Sequence, residues 1–278
     1  MVRRGLFSLA MLLAVLAAAP ATARVLAPSE FDQFPDGVND GDPDITRVAA
    51  GSNSSGYITF IVDISNRREL ADNEFVQVFV DADASAGTGQ APNGVDFVLQ
   101  MDKSSEPALF QWNGTTFAGV QGESVYGYVF KGFRFAVHKD DLGGVPAGMV
   151  NYWVETISGT KYDEAPDGHI AQHRLSSQQL QLRITAATAS KSVKVGKRYA
   201  VAMQIHRSDL DEATSAGLVR CSAKVGKAAV KVQAAFPEDI AGCFGIAPKS
   251  AKKKLIKVTL TLALDGVTVS RTFSIRVT

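Results

Sequence analysis

The sequence predicts an all-β protein of two β-sandwiches, a larger one followed by a smaller, and three observations carry that. Apolar residues recur with a period of two, turn-forming residues punctuate the chain at short intervals, and charge splits it into halves of opposite sign. Phe75, Gln77 and Phe79 alternate with Val76, Val78 and Val80; Val95, Phe97 and Leu99 alternate with Asp96, Val98 and Gln100. Successive side chains of an extended chain point to opposite faces, so each run is a strand with two distinct faces.

The same pattern predicts strands near Ile45–Ala49, Tyr57–Ile64, Phe75–Asp81, Val95–Met101, Ala108–Trp112, Thr116–Val120, Ser124–Phe130, Gly132–Val137 and Val150–Ile157. Asn113-Gly114 marks a hairpin, because both residues tolerate positive φ. Lys139 to Gly143 reads as a helical turn. In the second half Leu180, Leu182 and Ile184 alternate, as do Tyr199, Val201 and Met203. Leu255 to Leu264 gives a long strand, Asp265-Gly266 its turn, and Val267 to Val277 the return.

Of the 278 residues, 1–23 read as an export leader: Arg3 and Arg4, an apolar run from Leu6 to Ala19, then Ala21-Thr22-Ala23 before Arg24. The apolar run is short for a transmembrane segment and no second one follows. A secreted, extracytoplasmic protein is therefore expected. Residues 24–175 carry 22 acidic and 10 basic side chains, while 176–278 carry 6 and 17. Near-neutrality thus hides an acidic domain, expected over 24–175, and a basic one, expected over 180–278. The polar Ser176-Ser177-Gln178-Gln179 lies between them.

Cys221 and Cys243 are the only cysteines. Export makes a disulfide between them the default. Their separation is far shorter than the usual immunoglobulin pairing, which predicts a topology other than the antibody one. Without a neighbouring His or Cys cluster they form no zinc site.

Asp81-x-Asp83-x-Ser85-x-Gly87-Thr88-Gly89 is too long and oxygen-rich for a plain hairpin turn. A hard cation takes six to eight oxygens at flexible geometry. Asp81, Asp83 and Ser85, with Asp96 and Thr88 nearby, are accordingly candidate ligands for a structural Ca2+. The competing reading is a solvated turn whose Asp residues bond their own backbone. Pro92 stands where an EF-hand has its bidentate Glu, so this is no EF-hand. Asp40, Asp42 and Asp44 form a second acidic set, which caps the first strand or meets the Asp163–Asp167 loop.

A sugar site needs aromatic platforms and polar groups on one surface. Trp112, Tyr152 and Trp153 are the candidates, with Gln100, Asn151 and Glu155 as hydrogen-bonders. Tyr126 and Tyr128 share a face with Phe130 and read as core. No catalytic residue is assigned: the chain has no G-x-S-x-G, no His-Glu-x-x-His and no Cys with a plausible base, and His169-x-x-x-His173 lies in a strand-like pattern. Lys249, Lys252, Lys253, Lys254 and Lys257 lack interleaved aromatics, which argues against nucleic acid. They are read as a solvated surface, as a contact with the acidic domain, or as attraction to an anionic wall polymer. Asn53-Ser54-Ser55 and Asn113-Gly114-Thr115 read as turns.

Gly41-Asp42-Pro43-Asp44-Ile45, Phe79-x-Asp81-x-Asp83 with Thr88-Gly89, Gly94-Val95-Asp96-Phe97, Leu109-x-x-Trp112-Asn113-Gly114 and Asp163-x-Ala165-Pro166-Asp167 occur in that order. With these pieces the region from Gly37 to Arg174 resembles the DOMON-like family related to family 9 carbohydrate-binding modules. That resemblance implies a β-sandwich binding sugars or, in some branches, haem, often with a structural calcium ion; Met101 and His138 are the residues a haem reading would use. Val219-x-Cys221-x-Ala223-x-Val225-Gly226, Cys243-x-x-Ile246-x-Pro248 and Asp265-Gly266-x-x-x-x-Arg271-x-Phe273 make Leu180 to Thr278 similar to Ig-like modules of secreted actinobacterial proteins. That likeness implies a spacer or adhesive unit. The expectation is a non-catalytic protein binding an extracellular glycan or cell-wall polymer, and the alternative is a structural or adhesive surface protein with no small ligand.

Overall fold

The computed structural model describes residues 24–25, 31–36, 43–67, 69–104, 106–122, 125–129, 132–214, 216–237 and 239–278. The expected leader, Asp40 and Asp42 lie outside them, as do the side chains of Tyr126 and Tyr128. Strands β1 (Arg24–Val25), β2 (Phe31–Pro35), β3 (Ile45–Ser52), β4 (Tyr57–Ile64), β5 (Glu74–Asp81) and β6 (Phe97–Met101) begin the first half. It continues with β7 (Ala108–Trp112), β8 (Phe117–Val120), β9 (Val125–Val129), β10 (Phe133–His138), β11 (Met149–Ser158), β12 (Lys161–Ala165) and β13 (His169–Arg174). One sheet runs β1-β13-β11-β5-β6-β7-β8, and the other runs β2-β3-β4-β10-β9.

The two sheets close on the alternation read from the sequence. Val76, Val78 and Val80 point inward with Leu99, Met101, Tyr152 and Val154, against Phe60, Val62, Phe133 and Phe135 of the facing sheet. The Asp163–Asp167 loop expected from the sequence is in part strand: Asp163 lies on β12, and only the turn at 166–168 separates β12 from β13, which share one edge of β11. Met149–Tyr152 pair with β13 and Val154–Ser158 with β12. Asp163 explains the loop-like reading: its Oδ2 accepts the Ile45 N–H at 2.7 Å, so this carboxylate caps the start of β3. Asp44 is buried beside it, accepting from the Ser65 hydroxyl.

The second half holds β14 (Leu182–Ala189), β15 (Ser192–Val193), β16 (Arg198–Arg207), β17 (Glu212–Ala213) and β18 (Leu218–Val225). β19 (Ala228–Val230), β20 (Val232–Ala235), β21 (Ile240–Ile246), β22 (Leu255–Leu264) and β23 (Val267–Val277) complete it. The sheets are β14-β16-β21-β20, with β17 on β16, and β15-β23-β22-β18-β19. This is the A-B-E-D and A′-G-F-C-C′ order of an immunoglobulin sandwich. The short cysteine spacing therefore misled about topology. Cys221 on β18 bridges to Cys243 on β21, Cα atoms 5.8 Å apart, so the disulfide joins the two sheets through strands C and E. The spacing excludes the usual B–F bridge without altering the strand order.

The outer face of the first half's β2-β3-β4-β10-β9 sheet is covered by the second half. Ala49, Ile61 and Arg134 form one row across β3, β4 and β10, and all three are buried although they face away from the core. Leu210, in the β16–β17 turn, packs on Ala49 and Ile61. Arg134, 1 % exposed, donates to Asp63 at 2.7 Å and to Glu212 at 2.9 and 3.2 Å. A Cβ on Gly51 would lie 2.3 Å from the Asp209 carbonyl oxygen, so glycine is what lets the turn seat.

Further bonds clasp the same seam. Asn53, 3 % exposed, donates to Asp209 at 3.0 Å and Asp265 at 3.4 Å, and Asp209 in turn receives two 2.7 Å bonds from the buried Arg207. Burial by itself would raise the Asp209 pKa, but the Arg207 guanidinium holds it below the usual carboxylate range. The Ser52 hydroxyl accepts the Ser176 N–H at 2.8 Å and bonds His173 Nε2 at 2.9 Å, while Ser54 N–H donates to Gln178 O. The polar segment 176–179 is therefore fastened down. Asn53, which opens the Asn53-Ser54-Ser55 turn, is committed to this seam.

The charges at the seam run against the gross balance: the acidic half supplies Arg134, and the basic half supplies Asp209, Glu212 and Asp265. The lysine cluster is not there. Lys253 and Lys254 bond the β23 end around Val277, at the far end of β22 from Asp265. Of the three readings of the lysine cluster, contact with the acidic domain is not realised at this seam, which rests on a few buried pairs instead. No described helix is long and apolar enough to cross a membrane.

Two outcomes follow from this packing. Cys221→Ala with Cys243→Ala releases a loop whose closure stabilises by roughly 3 kcal/mol. Calorimetry should find the basic domain melting on the order of 10 °C lower; an unchanged melting point would remove the bridge from the stability of the domain. Gly51→Leu should unseat the β16–β17 turn, raising the radius of gyration in small-angle scattering, whereas added salt should leave the parent's radius unchanged because the pairs are buried. Salt-induced expansion of the parent would show that gross charge, not the seam, holds the halves together.

Candidate metal and ligand site

With one outer face of the first sandwich covered, its other outer face is that of β13-β11-β5-β6-β7-β8. Parity decides what stands on it. Because Val76, Val78 and Val80 point inward, Gln77, Phe79 and Asp81 point outward, and register aligns them with neighbours strand by strand. One row is Asn151–Asp81, with Gln172 beyond Asn151. The next joins Trp153, Phe79, Val98 and Phe110, and a third joins Glu164, Glu155, Gln77 and Gln100.

The middle row is aromatic. Trp153 stacks on Phe79, centroids 5.0 Å apart and planes 7° from parallel. At the β7–β8 end Trp112 and Phe117 pair at 5.2 Å. Trp153, Phe79 and Phe117 are buried, while Phe110 and Trp112 are half-buried, so the strip is accessible chiefly at its β7 end. A cavity of about 330 Å³ opens there, lined by Ala108, Phe110, Gly119 and Val120 among others.

The expected ligand residues are thereby sorted. Trp112 sits at the accessible hairpin end. Trp153 faces outward but lies beneath the strip's surface. Tyr152 is corrected: it is fully buried between the sheets, its ring 5.2 Å from Phe60, because its neighbour Trp153 takes the outer face. Adjacent strand residues cannot both face one ligand. Met101 is buried in the core, and the His138 ring is engaged by Ser55 O and the Asp140 N–H, so neither is offered to a haem.

The flanking rows are polar and bonded to one another. Gln172 donates to Asn151 Oδ1 and Asn151 to Asp81 Oδ2, each at 2.8 Å; Gln77 donates to Gln100 at 2.7 Å. Gln172, Gln77 and Phe79 carry no ligand role in the sequence reading. Their parity with Trp153 and Gln100 was the available signal.

The first polar row runs into the acidic loop. Oxygens of Asp81, Asp83 and Asp96 lie within 4.8 Å of one another. The loop doubles back to bring Asp96 home: Gln90 pairs with Val95, and a Cβ on Gly94 would lie 2.3 Å from the Ser85 carbonyl. Ser85, an expected oxygen ligand, turns its backbone N–H to Asp81 Oδ1 and Asp83 Oδ1, both at 3.0 Å. Toward these carboxylates it donates, while its carbonyl oxygen accepts from the Thr88 hydroxyl at 2.9 Å and the Thr88 N–H at 3.2 Å. Thr88 Oγ1 donates to Asp83, and Ala82 N–H to Asp96.

None of the described salt bridges reaches these carboxylates. Burial, with Asp83 and Asp96 adding to it, pushes the Asp81 pKa up to about 6, and burial raises Asp96 as well. Three crowded carboxylates without a cation are the donor set a hard divalent ion fits. The loop thus combines both sequence readings, since its Asp side chains bond their own backbone and still converge.

No family model matches the chain, and no curated protein matches it. The resemblance to DOMON-like and family 9 modules therefore rests on the motifs alone. Among solved structures it is similar to a chimeric titin Z1Z2 carrying a KLER peptide from decorin (11 % identity, 91 % of this chain and 99 % of that one, TM-score 0.32). It is also similar to titin domains Z1Z2 in complex with telethonin (11 %, 91 % and 98 %, 0.28) and to the titin Ig tandem A164–A165 (7 %, 89 % and 98 %, 0.27). At these TM-scores nothing about residues or partners transfers to this chain.

Glu155 carries the clearest pH signature of this face. Burial, with Glu164 adding to it, pushes its pKa up to about 7, against the Trp153 indole N–H donated at 3.3 Å. The fold thus favours the neutral acid. The stability tied to it is full below the unfolded value of 4.5 and is lost as pH rises through about 7. Glu155→Gln should therefore raise the melting temperature at pH 8 by a few degrees and flatten its decline between pH 5 and 8, roughly 1 kcal/mol after allowance for partial exposure. Parallel melting curves for both proteins across that range would count against it.

Proposed function

We propose that this is an exported, non-catalytic binding protein. Its first domain holds a structural calcium ion at Asp81, Asp83 and Asp96 and presents the adjoining aromatic and polar rows to an extracellular glycan or cell-wall polymer. The observation that carries the reading is the convergence of three carboxylates at the end of a sheet whose outer face bears an aromatic strip between hydrogen-bonding rows. A bound cation would neutralise the trio and fasten the loop to the sheet. Trp112 and Phe110 would supply ring faces for the apolar side of a sugar, and Gln100 is the nearest amide in the flanking row.

The second reading, a structural or adhesive protein with no small ligand, is favoured by one observation: Trp153 and Phe79, the largest stacked pair, are already buried against each other. On that reading the acidic loop is only a turn, and the clasped domains form a rigid spacer.

Calcium separates the two readings first. A ligand bound only by the folded state stabilises it by roughly 2.7 kcal/mol at a hundredfold excess over Kd. The first domain should therefore melt about 5 °C higher in calcium than in chelator, with a smaller rise in magnesium and none for Asp83→Ala. Identical curves in calcium and chelator would reduce the loop to a turn. On a glycan array, Trp112→Ala should abolish whatever binding the parent shows, and a blank array for the parent would favour the spacer.

A further inference from the structure

The second domain is electrically polarised along its strands. Its proximal end, which meets the first domain, is defined by the β16–β17 turn and the β22–β23 hairpin carrying Asp265. Every described acid of residues 176–278 lies in that half: Asp209, Asp211 and Glu212 in the turn, Asp265 in the hairpin, and Asp239 bonded to Gln204.

The distal end is built by three turns. Gly196 N–H donates to Ala247 O and Ala247 N–H to Lys197 O, which joins the turn after β15 to the segment after β21. Lys253 N–H donates to Val277 O, and Val225 at the β18–β19 turn pairs with Ile256. All eleven lysines of residues 176–278 lie on these turns or on strand segments running into them. Among the described residues no acidic side chain is at this end. Lys224 and Lys257 stand directly opposite on paired strands, both exposed, an arrangement that destabilises a sheet unless countercharge is supplied.

Apolar groups share this cationic end. Ile246 is 61 % exposed and Leu255 46 % exposed, the latter following Lys252, Lys253 and Lys254 directly. Between β19 and β20 runs a groove of about 520 Å³, lined by Val225, Val230, Val232, Phe244 and Ile246, with Lys231 and Lys254 at its rim.

We infer that the distal pole is a docking surface for an anionic lipid bilayer. A soluble polyanion would use the lysines and leave Ile246 and Leu255 in water. The interface of an anionic bilayer accepts both, with phosphates meeting the ammonium groups and the acyl boundary taking the aliphatic side chains. The acidic domain of a second copy offers charge, but the accessible part of its aromatic strip is a short stretch at Phe110 and Trp112 rather than the continuous apolar layer a bilayer presents. The pole points away from the first domain, so docking leaves the candidate ligand face of that domain free. This surface is independent of the calcium and glycan reading.

The test is sedimentation of the full mature chain with phosphatidylcholine vesicles, with and without phosphatidylglycerol. Binding should require phosphatidylglycerol and fall as salt rises. Each lysine near an anionic surface contributes roughly fivefold, so Lys249→Gln, Lys252→Gln and Lys254→Gln together should weaken binding roughly a hundredfold. Ile246→Ser with Leu255→Ser should weaken it several-fold while keeping the salt dependence. These side chains are exposed, and an unchanged melting curve would establish that the variants are folded. Absence of binding to either vesicle overturns the inference. So does binding of soluble polyphosphate with vesicle binding untouched by the apolar pair, which would assign the pole to a free polyanion. Lysine-dependent self-association at low salt without vesicle binding would assign it to a second copy.

Discussion

Arg134 is the group on which the arrangement of the molecule depends. This guanidinium, 1 % exposed, is compensated by Asp63 on one side and Glu212 on the other, which accept its hydrogen bonds. Removing Glu212 would strip this buried ion of its partner in the second sandwich, and breaking a buried pair costs roughly 3–5 kcal/mol. Because Asp63 belongs to the first sandwich and Glu212 to the second, the cost of an unpaired charge is what holds the two together. Leu210 on Ala49 and Ile61 adds apolar burial, and Gly51 supplies the clearance.

That seam distributes function over the rest of the surface. Covering the β2-β3-β4-β10-β9 sheet leaves the opposite sheet of the first domain as its accessible broad face, which is where the aromatic strip and the carboxylate trio stand. Fastening the second domain by its acidic end directs its lysine-bearing end outward. The gross charges therefore do not neutralise each other within the chain. Each is displayed, the acids on the first domain and the lysines at the far pole.

Parts of this were legible. Period-two alternation placed the inward valines of β5 and the outward Phe79 and Asp81, and the oxygen-rich run after β5 marked the carboxylate loop. The same rule, applied to β11, separates Tyr152 from Trp153, so the two cannot both be ligand residues on one face. The cysteine pair was legible as a bridge but not as a C–E bridge, since spacing along the chain does not say which strands face each other across a sandwich. Strands β12 and β13 were hidden because Asp163 and the Pro166–Gly168 turn look like loop chemistry, when Asp163 is a cap for β3.

The sequence by itself determined the all-β class, the split of charge, the pairing of the two cysteines and the residues of the acidic loop, because alternation, composition and short-range spacing are local properties. Tertiary structure alone decided that Arg134 meets Glu212, that Asn53 clasps Asp209, that Trp153 is buried by its neighbours and that eleven lysines gather at one pole. Those relations join residues dozens to more than a hundred positions apart. Their energies depend on burial and on distances that no local pattern encodes.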